Sequence, residues 1–437
     1  MDLVSLDTAP DGLTQWAFDS EPRSTVGSSA FAVRYSPALG IHCVARRALM
    51  PGDPVLLEPP LVSTRTATVD GLPSAEPEWM LVHALLTAGK RRRWALQYAS
   101  LAGAAPSGLE AVCSWLSEAH GVAADEPALL WQAVRGNAFG LETPLLGVEY
   151  GAGLFPWART FNHACAPNCH SVRLGGNMAL FATRAIRAGE ELTHSYLPLA
   201  VLARPAALRR PHLHFPCSCA RCKAEAEEAG AKGAAGGPQA STDGAAGGRL
   251  PAVAAEARLA FHVSCAAGDW ASAIGEGVAV LQQARPLLLA SPHAALDFAH
   301  AYLGAHWALH AAGEGRSEGR GAAAAHVRAA ARLHVEAASA LCAAAGDAAP
   351  HRAQLALLRH LAAVQAAALG ALTPAEARLG PALAHLAASL GGSHGWLRDD
   401  LPMLPAGAAE LLTAEARRVP EPGGQGAGSG MRQGGSR

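Results

Sequence analysis

Three cysteines stand close together in segment 217–222, at Cys217, Cys219 and Cys222. Thiols at this spacing can bind one metal ion together, but they are too close for a regular set of disulfides. Zinc is the metal that fits best, and a closed tetrahedral zinc site takes a fourth ligand from Cys or His. The competing interpretation is a group of reduced thiols without a metal. Chemistry alone leaves these candidates for the fourth ligand: Cys43, Cys165, Cys169, His212 and His214.

The same segment closes a series of three motifs whose order along the chain is informative. They read NHACAPN at residues 162–168, GEELTHSY at residues 189–196 and FPCSCARC at residues 215–222. In this order and at this spacing they resemble the SET domain followed by its post-SET segment. The closest subtype is the SET- and MYND-domain (SMYD) protein lysine methyltransferases, which GLFP at residues 153–156 and a helical C-terminal region also resemble.

The resemblance implies a role for each residue that matches the family motifs. It implies that Tyr196 is the catalytic tyrosine, that Cys165 is the fourth zinc ligand and that Phe215 stacks on the adenine ring of S-adenosylmethionine. The cofactor contacts that it implies come from Gly40, Asn137, Asn162, His163, Tyr196 and Phe215.

The chemistry of methyl transfer explains why so few groups suffice. S-adenosylmethionine carries its own leaving group, so the protein mainly has to align an amine with the methyl carbon. The obstacle is the lysine proton, because an amine with a pKa of ~10.4 is neutral in fewer than roughly one molecule in a thousand at pH 7. A narrow apolar channel beside a sulfonium lowers that pKa. The Tyr196 hydroxyl can then orient the lone pair of the amine.

The hydrophobic pattern predicts an α+β fold for the whole chain. Short apolar segments between turn residues predict an antiparallel meander from Phe31 to Val62, and short strands return from about Gly153 to Tyr196. Apolar residues at helical spacing predict a helical insertion over about residues 70–135. Residues 63–112, where the family inserts its MYND zinc module, contain no cysteine. We therefore expect a SMYD-like protein that lacks MYND.

The second half of the chain is rich in Ala and Leu at helical spacing and resembles a tetratricopeptide (TPR) array. The sequence TPAE at residues 373–376 is a capping box that predicts a helix start. Residues 225–250 are small and polar, which predicts a flexible linker. The predicted organisation is a SET domain over residues 1–224 with a post-SET zinc segment at about 211–224, a TPR-like helical domain over 251–418 and a disordered tail over 419–437.

Two functions compete at this stage. The first is S-adenosylmethionine-dependent methylation of a lysine in a histone or non-histone protein. The second is a catalytically weak, zinc-binding SET scaffold that contacts other proteins through its helical domain. Ala38 favours the scaffold, because the family usually has Gly at this position of its first cofactor loop. Leu213 stands where relatives often carry an aromatic residue of the lysine channel, so the number of methyl groups added stays open.

Charge and hydropathy narrow the partners that we expect. With 35 basic and 36 acidic residues, the net charge of −1 provides no field that would concentrate nucleic acid. No stretch approaches the roughly 18 apolar residues of a membrane span. The basic run at residues 90–93 can act as a nuclear import signal, although such runs are more often the solvated end of a helix. We expect a monomer in the cytoplasm, the nucleus or both, which binds a protein substrate but neither nucleic acid nor membrane.

Overall fold

The structure is a computed structural model that describes residues 30–65, 77–89, 95–96, 108–147, 149–213, 215–234, 252–283, 286–288, 291–311, 320–346, 349–391, 394–404 and 406–419. The basic run at residues 90–93, His214, linker residues 235–250 and tail residues 420–437 lie outside the described residues. Within the described ranges, no helix is both long and apolar enough to cross a membrane.

Among the described residues, the strands lie in the N-terminal half, as the short apolar segments between turn residues predict. They are β1 (Phe31–Ser36), β2 (Gly40–Ala45), β3 (Pro54–Glu58), β4 (Val62–Arg65), β5 (Ala138–Glu142), β6 (Glu149–Leu154), β7 (Asn162–His163), β8 (Cys169–Leu174), β9 (Asn177–Ala182) and β10 (Glu191–His194).

Helices fill the predicted insertion, where it is described, and the C-terminal half. They are α1 (Pro77–Leu86), α2 (Glu110–His120), α3 (Glu126–Asn137), α4 (Leu199–Leu202), α5 (Ala206–Arg209), α6 (Ala220–Ala234), α7 (Ala252–Ala266), α8 (Trp270–Leu281), α9 (Pro292–Ala311), α10 (Arg320–Ala345), α11 (Arg352–Ala368), α12 (Leu379–Ser389) and α13 (Ala406–Arg418). The predicted α+β class is confirmed.

Three small sheets form the N-terminal half, with strand orders β1-β2-β10-β7, β3-β9-β8 and β4-β6-β5. Strand β10 lies antiparallel to β2 and parallel to β7. The parallel register pairs Thr193 with Asn162 and His194 with His163. This pairing places the NHACAPN motif beside the GEELTHSY motif, although the two are separate in the chain.

The insertion helices pack against the third sheet. Leu81 and Leu85 of α1 and Leu130 of α3 share one buried cluster with Val62 of β4 and Leu154 of β6. Their burial removes apolar surface from water, which holds the insertion on the sheet.

The C-terminal helices pack in sequence order, because each of α7 to α11 contacts the next helix along the chain. The last helices also cover the second sheet, since Leu357 of α11 and Leu379 of α12 share a buried cluster with Val172 of β8 and Phe181 of β9. The helical region and the strands are therefore joined by a common core. The likeness of these helices to a TPR array stays a prediction.

Two local details differ from the sequence predictions. Helix α6 extends to Ala234, so residues 225–234 are helical rather than a flexible linker, because Ala and Glu are strong helix formers. The capping box forms, with the Thr373 amide donating to Glu376 Oε2 at 2.7 Å. Helix α12 nevertheless begins only at Leu379, because Arg378 adopts a left-handed conformation with a φ of 48° that interrupts the turn.

One buried carboxylate ties the helical region to the strands. Asp400, which is fully buried, accepts hydrogen bonds from the backbone amides of Leu145 and Leu146, each at 2.9 Å. Its burial raises the pKa of this carboxyl to about 6. Because these amides lie in a dry interior, they depend on Asp400 for an acceptor.

We expect Asp400→Ala to lower the free energy of unfolding by about 2–5 kcal/mol, because two buried amides would lose their acceptor. Urea denaturation followed by tryptophan fluorescence measures this change. Asp399→Ala is the matched control, since Asp399 accepts from the amide of Gly175 at 2.7 Å in an exposed position. We expect it to cost about 1 kcal/mol or less. An equal loss of unfolding free energy in the two variants would contradict the stabilising role of the buried Asp400 carboxylate.

Candidate active site

Four cysteine sulfurs lie close together between the core strands and the segment with Cys217, Cys219 and Cys222, which we call the CxCxxC segment. Those of Cys165, Cys217, Cys219 and Cys222 all lie within 4.8 Å of one another. A tetrahedral zinc ion with Zn–S bonds of 2.3 Å separates its sulfurs by roughly 3.8 Å. The Sγ atom of Cys165 lies 3.9 Å from that of Cys217 and 3.6 Å from that of Cys222. The donor set therefore fits a closed tetrahedral zinc site.

The structure separates the candidates for the fourth ligand. Cys165 lies in the cluster, whereas Cys43, Cys169 and His212 do not belong to it. The Cys43 thiol instead forms a hydrogen bond with the Thr160 hydroxyl at 3.0 Å. The choice could not be made from spacing, because Cys165 reaches the cluster only through the fold.

Buried arginines balance the charge of this cluster. Arg209, 1% exposed, directs Nη2 to the sulfur of Cys222 at 3.4 Å, and Arg221 donates from Nη1 to the backbone carbonyl of Cys165 at 3.1 Å. Both guanidinium groups also bond Glu225. Four thiolates around Zn²⁺ carry a net charge of −2, which cations of this kind offset. Sequence reasoning missed Arg209, because it lies outside the cysteine motif.

The imidazole of His163 connects the cysteine cluster to the tyrosine motif. The backbone amide of Tyr196 donates to Nδ1 of His163 at 3.0 Å, and Nε2 lies 3.3 Å from the sulfur of Cys165. Because Nδ1 accepts, Nε2 carries the hydrogen and points it at the sulfur. Burial lowers the pKa of His163 to about 4, so the ring is neutral, as this pattern of hydrogen bonds requires.

Five rings form a continuous line through the site, which we call the aromatic row: Phe139, His194, Tyr196, His163 and Phe215. The ring centroids of Phe139 and His194 are 5.9 Å apart, and those of His194 and Tyr196 are 5.0 Å apart. Farther along, Tyr196 lies 5.3 Å from His163 and 6.2 Å from Phe215. The row begins at Phe139, which is half-buried, continues through the buried ring of His194 and ends at the exposed ring of Phe215.

The hydroxyl of Tyr196 is held in place although the ring is partly open to solvent. The residue is 45% exposed, and its hydroxyl donates to the backbone carbonyl of Phe161 at 3.0 Å. Burial of the hydroxyl raises the pKa of Tyr196 to about 12, so it remains protonated at neutral pH. With its hydrogen engaged, the oxygen can offer its lone pairs to another group.

The predicted cofactor residues Asn162 and Gly40 lie side by side. Asn162 donates from Nδ2 to the carbonyl of Leu39 at 3.2 Å and to Glu191 Oε1 at 3.0 Å. Gly40 has a φ of 63°, and a Cβ added to it would find nothing within 4 Å. Ala38, in the same turn, does not have a positive φ, so its methyl group causes no backbone strain there.

The surface around this turn suits S-adenosylmethionine. Leu39 is 46% exposed and Phe215 is 42% exposed, a high value for large apolar side chains. An open aromatic face can stack on a purine ring. Asn162 is hydrogen-bonded to the carbonyl of Leu39 and precedes His163, whose ring centroid lies 5.9 Å from that of Phe215. The residues present therefore fit the cofactor.

Asn137 is the predicted cofactor residue that stands apart. Its side chain donates to the carbonyl of Ala133 at 2.8 Å and accepts from Arg159 at 3.4 Å. In the described part of the chain, neither of these hydrogen bonds reaches another predicted cofactor residue. Its link to the site is by sequence, because Phe139 of the aromatic row follows it by two positions.

Two positioning residues went unrecognised in the sequence. The Asn168 side chain donates to the carbonyl of Glu191 at 2.8 Å and accepts from the amide of Thr193 at 2.8 Å, which fixes the strand that leads to Tyr196. The Glu58 carboxylate accepts hydrogen bonds from the backbone amides of residues 157 and 158, at 2.8 and 2.9 Å respectively. These bonds fix the turn before Asn162. The motif contained Asn168, whereas nothing in the strand pattern marked Glu58.

We expect the purified chain to hold about one zinc ion and Cys165→Ser to reduce the bound zinc to a small fraction, because a closed site needs all four ligands. Inductively coupled plasma mass spectrometry measures the stoichiometry. Cys169→Ser is the matched control, since Cys169 is also buried but lies outside the cluster, and we expect it to keep its zinc. Full zinc content in Cys165→Ser would show that another residue completes the site.

Comparison with known proteins relates part of this site to a family. Residues 40–197 match the family model of the SET domain. The histone-lysine N-methyltransferase SMYD3 of Mus musculus is 40% identical over 85 residues, which are 18% of this chain and 19% of that protein. The potential protein lysine methyltransferase SET6 of Saccharomyces cerevisiae is 38% identical over 98 residues, 21% of this chain and 26% of that protein. The chain thus spans about a fifth to a quarter of the length of these relatives.

A crystal structure of the SET domain of LSMT bound to lysine and AdoHcy aligns with 87% of this chain and 96% of that chain, at 12% identity and a TM-score of 0.30. That likeness is too low to bear on the position of any site residue. The family match coincides with the segment in which the NHACAPN and GEELTHSY motifs meet. Residues 40–197 are therefore a SET domain similar to those of the SMYD lysine methyltransferases.

Proposed function

We propose that this protein is an S-adenosylmethionine-dependent protein lysine N-methyltransferase. The aromatic row is the observation that carries the proposal. It joins an exposed aromatic face at Phe215, suited to a nucleotide, to the half-buried ring of Phe139 and the buried ring of His194, beside which an alkylamine would lie. The ring of Tyr196 lies next to His194 on one side and next to Phe215 on the other.

The residues at the open end of the row would hold the cofactor. Phe215 would stack on the purine, while Asn162 and the turn at Gly40 would contact its polar groups. When bound, the cofactor supplies an activated methyl group on a sulfonium centre. The zinc cluster positions Phe215, because Cys217 follows Phe215 by two residues and is held to Cys165 of the core.

The enclosed end would prepare the amine. The rings of Phe139 and His194 would shield the amine from water, and desolvation favours the neutral form of a lysine amine over its ammonium. The oxygen of Tyr196 would accept a hydrogen bond from an N–H of that amine. This contact would direct the lone pair of the amine along the row. The Phe161 carbonyl keeps the hydroxyl in its position during transfer. Proximity and orientation of this kind supply most of the catalysis in such a reaction.

The alternative is a SET-fold scaffold that binds zinc without turnover. Its main support, Ala38, is weakened by the ordinary backbone conformation of that residue. Titration calorimetry with S-adenosylhomocysteine separates the two functions. An enzyme releases heat on binding this product, whereas a scaffold shows none at millimolar ligand.

The proposed partner is a protein that presents a lysine, either a histone or another protein. We propose that the chain acts as a monomer in the cytoplasm, the nucleus or both, without binding nucleic acid or membrane. Its domains are proposed to be the SET domain at residues 1–224 and a TPR-like helical domain at residues 251–418 that restricts access of the substrate. The near-neutral net charge of −1 supports a protein substrate over nucleic acid.

We expect Tyr196→Phe to lower methyl transfer by about 10²–10³-fold, because it removes one group that stabilises the transition state. Incorporation of labelled methyl groups from S-adenosylmethionine into proteins of a cell extract measures the activity. Tyr302→Phe is the matched control, since Tyr302 is a buried tyrosine of the helical region. We expect its activity to equal that of the wild type. Equal activity of Tyr196→Phe would contradict the catalytic role of the hydroxyl.

A further inference from the structure

Four basic side chains lie together where helix α11 packs against helix α12, and we call them the basic cluster: Arg359, His360, Arg378 and His385. The ring centroids of His360 on α11 and His385 on α12 are 4.2 Å apart. Arg359 Nη2 lies 3.2 Å from Nε2 of His360. Arg378 immediately precedes α12, and His385 follows it by seven residues, or two helical turns, so both stand on one face. Arg378 is exposed and the other three are half-buried, so the basic cluster is open to a ligand.

The two arginines of the basic cluster lack a negative counter-charge. Among the described residues, neither Arg359 nor Arg378 takes part in an ion pair. The acidic residue closest to Arg378 in sequence is Glu376, and its carboxylate accepts from the amide and the hydroxyl of Thr373. Positive charges held close together without an acid between them attract an anion.

The two rings of the basic cluster supply hydrogen-bond donors without adding charge. A guanidinium group only donates, so Nε2 of His360 accepts from Arg359 and the hydrogen of this ring lies on Nδ1. Burial lowers the pKa of His360 to about 4, and the charges of His385, Arg359 and Arg378 act in the same direction. Burial, together with the charge of Arg359, also lowers the pKa of His385. Both rings are therefore neutral at pH 7, and each has one N–H to offer.

The backbone at Arg378 suits glycine better than arginine. With a φ of 48°, Arg378 is the one residue other than glycine that has a positive φ in the part of the chain that the structure describes. A Cβ makes this left-handed conformation unfavourable. Such strain is typical of positions where the side chain has a task, and here the side chain belongs to the basic cluster.

We propose that the basic cluster is a binding site for a phosphate monoester carried by a partner protein, as in phosphoserine or phosphothreonine. A phosphate monoester has a charge of about −1.5 to −2 at pH 7 and three strong acceptor oxygens. It therefore matches two guanidinium groups and two imidazole N–H donors. A carboxylate has a single negative charge and two oxygens, so it would balance only one of the arginines. Guanidinium groups also bind phosphate oxygens in pairs.

The distribution of charge favours a protein-borne phosphate over a polyanion. Segments that bind anionic membranes carry clusters of about four to eight Lys or Arg, and nucleic acid binding likewise needs many cations. The basic cluster has two arginines, and the whole chain has a net charge of −1. The site also lies in the helical region, outside residues 40–197 of the SET domain, so it goes beyond the proposed methyl transfer.

Titration calorimetry of the full-length protein tests the site. The probes are inorganic phosphate, N-acetyl-O-phosphoserine amide and N-acetylserine amide in a chloride buffer at pH 7.5. We expect both phosphates to bind with a Kd of about 1 mM or lower, because several charge-assisted hydrogen bonds form, and the unphosphorylated probe to give no heat of binding. The absence of binding by both phosphates at roughly tenfold higher concentration would overturn the proposal.

An arginine variant locates the binding. We expect Arg359→Gln to weaken the affinity for N-acetyl-O-phosphoserine amide about tenfold or more, the effect of one lost charge-assisted hydrogen bond. Arg328→Gln is the matched control, since Arg328 is a half-buried arginine of α10 whose charge shifts neither ring of the cluster. Its affinity should equal that of the wild type. Equal losses in the two variants would overturn the proposal, because binding would then follow net charge alone.

Arg378→Gly separates binding from stability. We expect this variant to melt at a higher temperature than the wild type, because glycine adopts a φ of 48° without strain. It should nevertheless bind N-acetyl-O-phosphoserine amide about tenfold more weakly, since one guanidinium group is lost. Wild-type affinity in Arg378→Gly would contradict the assignment of Arg378 to the site.

Flotation with lipid vesicles distinguishes a phosphoprotein from a lipid headgroup. The vesicles contain phosphatidylcholine with phosphatidylinositol 4-phosphate, and we expect no retention of the wild type. Retention that Arg359→Gln abolishes would overturn the assignment to a protein partner. None of these measurements uses S-adenosylmethionine or methyl transfer. A failure of the phosphate site and a failure of the proposed enzyme function are therefore distinguishable.

Discussion

A single imidazole stands between the cysteine cluster and the proposed catalytic tyrosine, and the arrangement of the site depends on it. His163 accepts from the amide of Tyr196 at 3.0 Å and faces the sulfur of Cys165 at 3.3 Å. The two contacts require a neutral ring with its hydrogen on Nε2, and burial lowers the pKa of His163 to about 4, which keeps it neutral. The position of the cysteine cluster is thus transmitted to the tyrosine through one rigid side chain. A zinc ion in that cluster would serve the reaction by holding geometry rather than by contacting substrate.

The parallel pairing of β7 with β10 makes this contact possible. It sets Asn162 beside Thr193, and the buried amide of Asn168 holds the same strand from the other end of the motif. Backbone groups that would otherwise lack partners are satisfied by side chains at these points, as buried polar groups require. The NHACAPN segment therefore acts both as part of the site and as the clamp on its neighbouring strand.

Buried carboxylates perform a similar task outside the site. Glu58 fixes the turn before Asn162, and Asp400 joins the strands to the last helices. Each carboxylate accepts hydrogen bonds from two backbone amides in the interior, and burial raises the pKa of both carboxyls. Strands β8 and β9 share a buried core with helices α11 and α12, so the helical region packs against the sheet and supports it. Whatever its role towards substrate, it contributes to the stability of the SET domain.

The sequence by itself determined the fold class and indicated the residues of the candidate site. Short apolar segments between turn residues, helical spacing and the three motifs depend on local order along the chain, and local order is what periodicity and spacing report. The CxCxxC segment indicated a metal in the same way. The sequence could not determine that Cys165 completes the cluster, that Arg209 lies against Cys222, or that the ring of His163 lies between Cys165 and the backbone of Tyr196. Those facts arise from strands and helices that are distant in sequence and meet only when the chain folds, so the tertiary structure alone decided them.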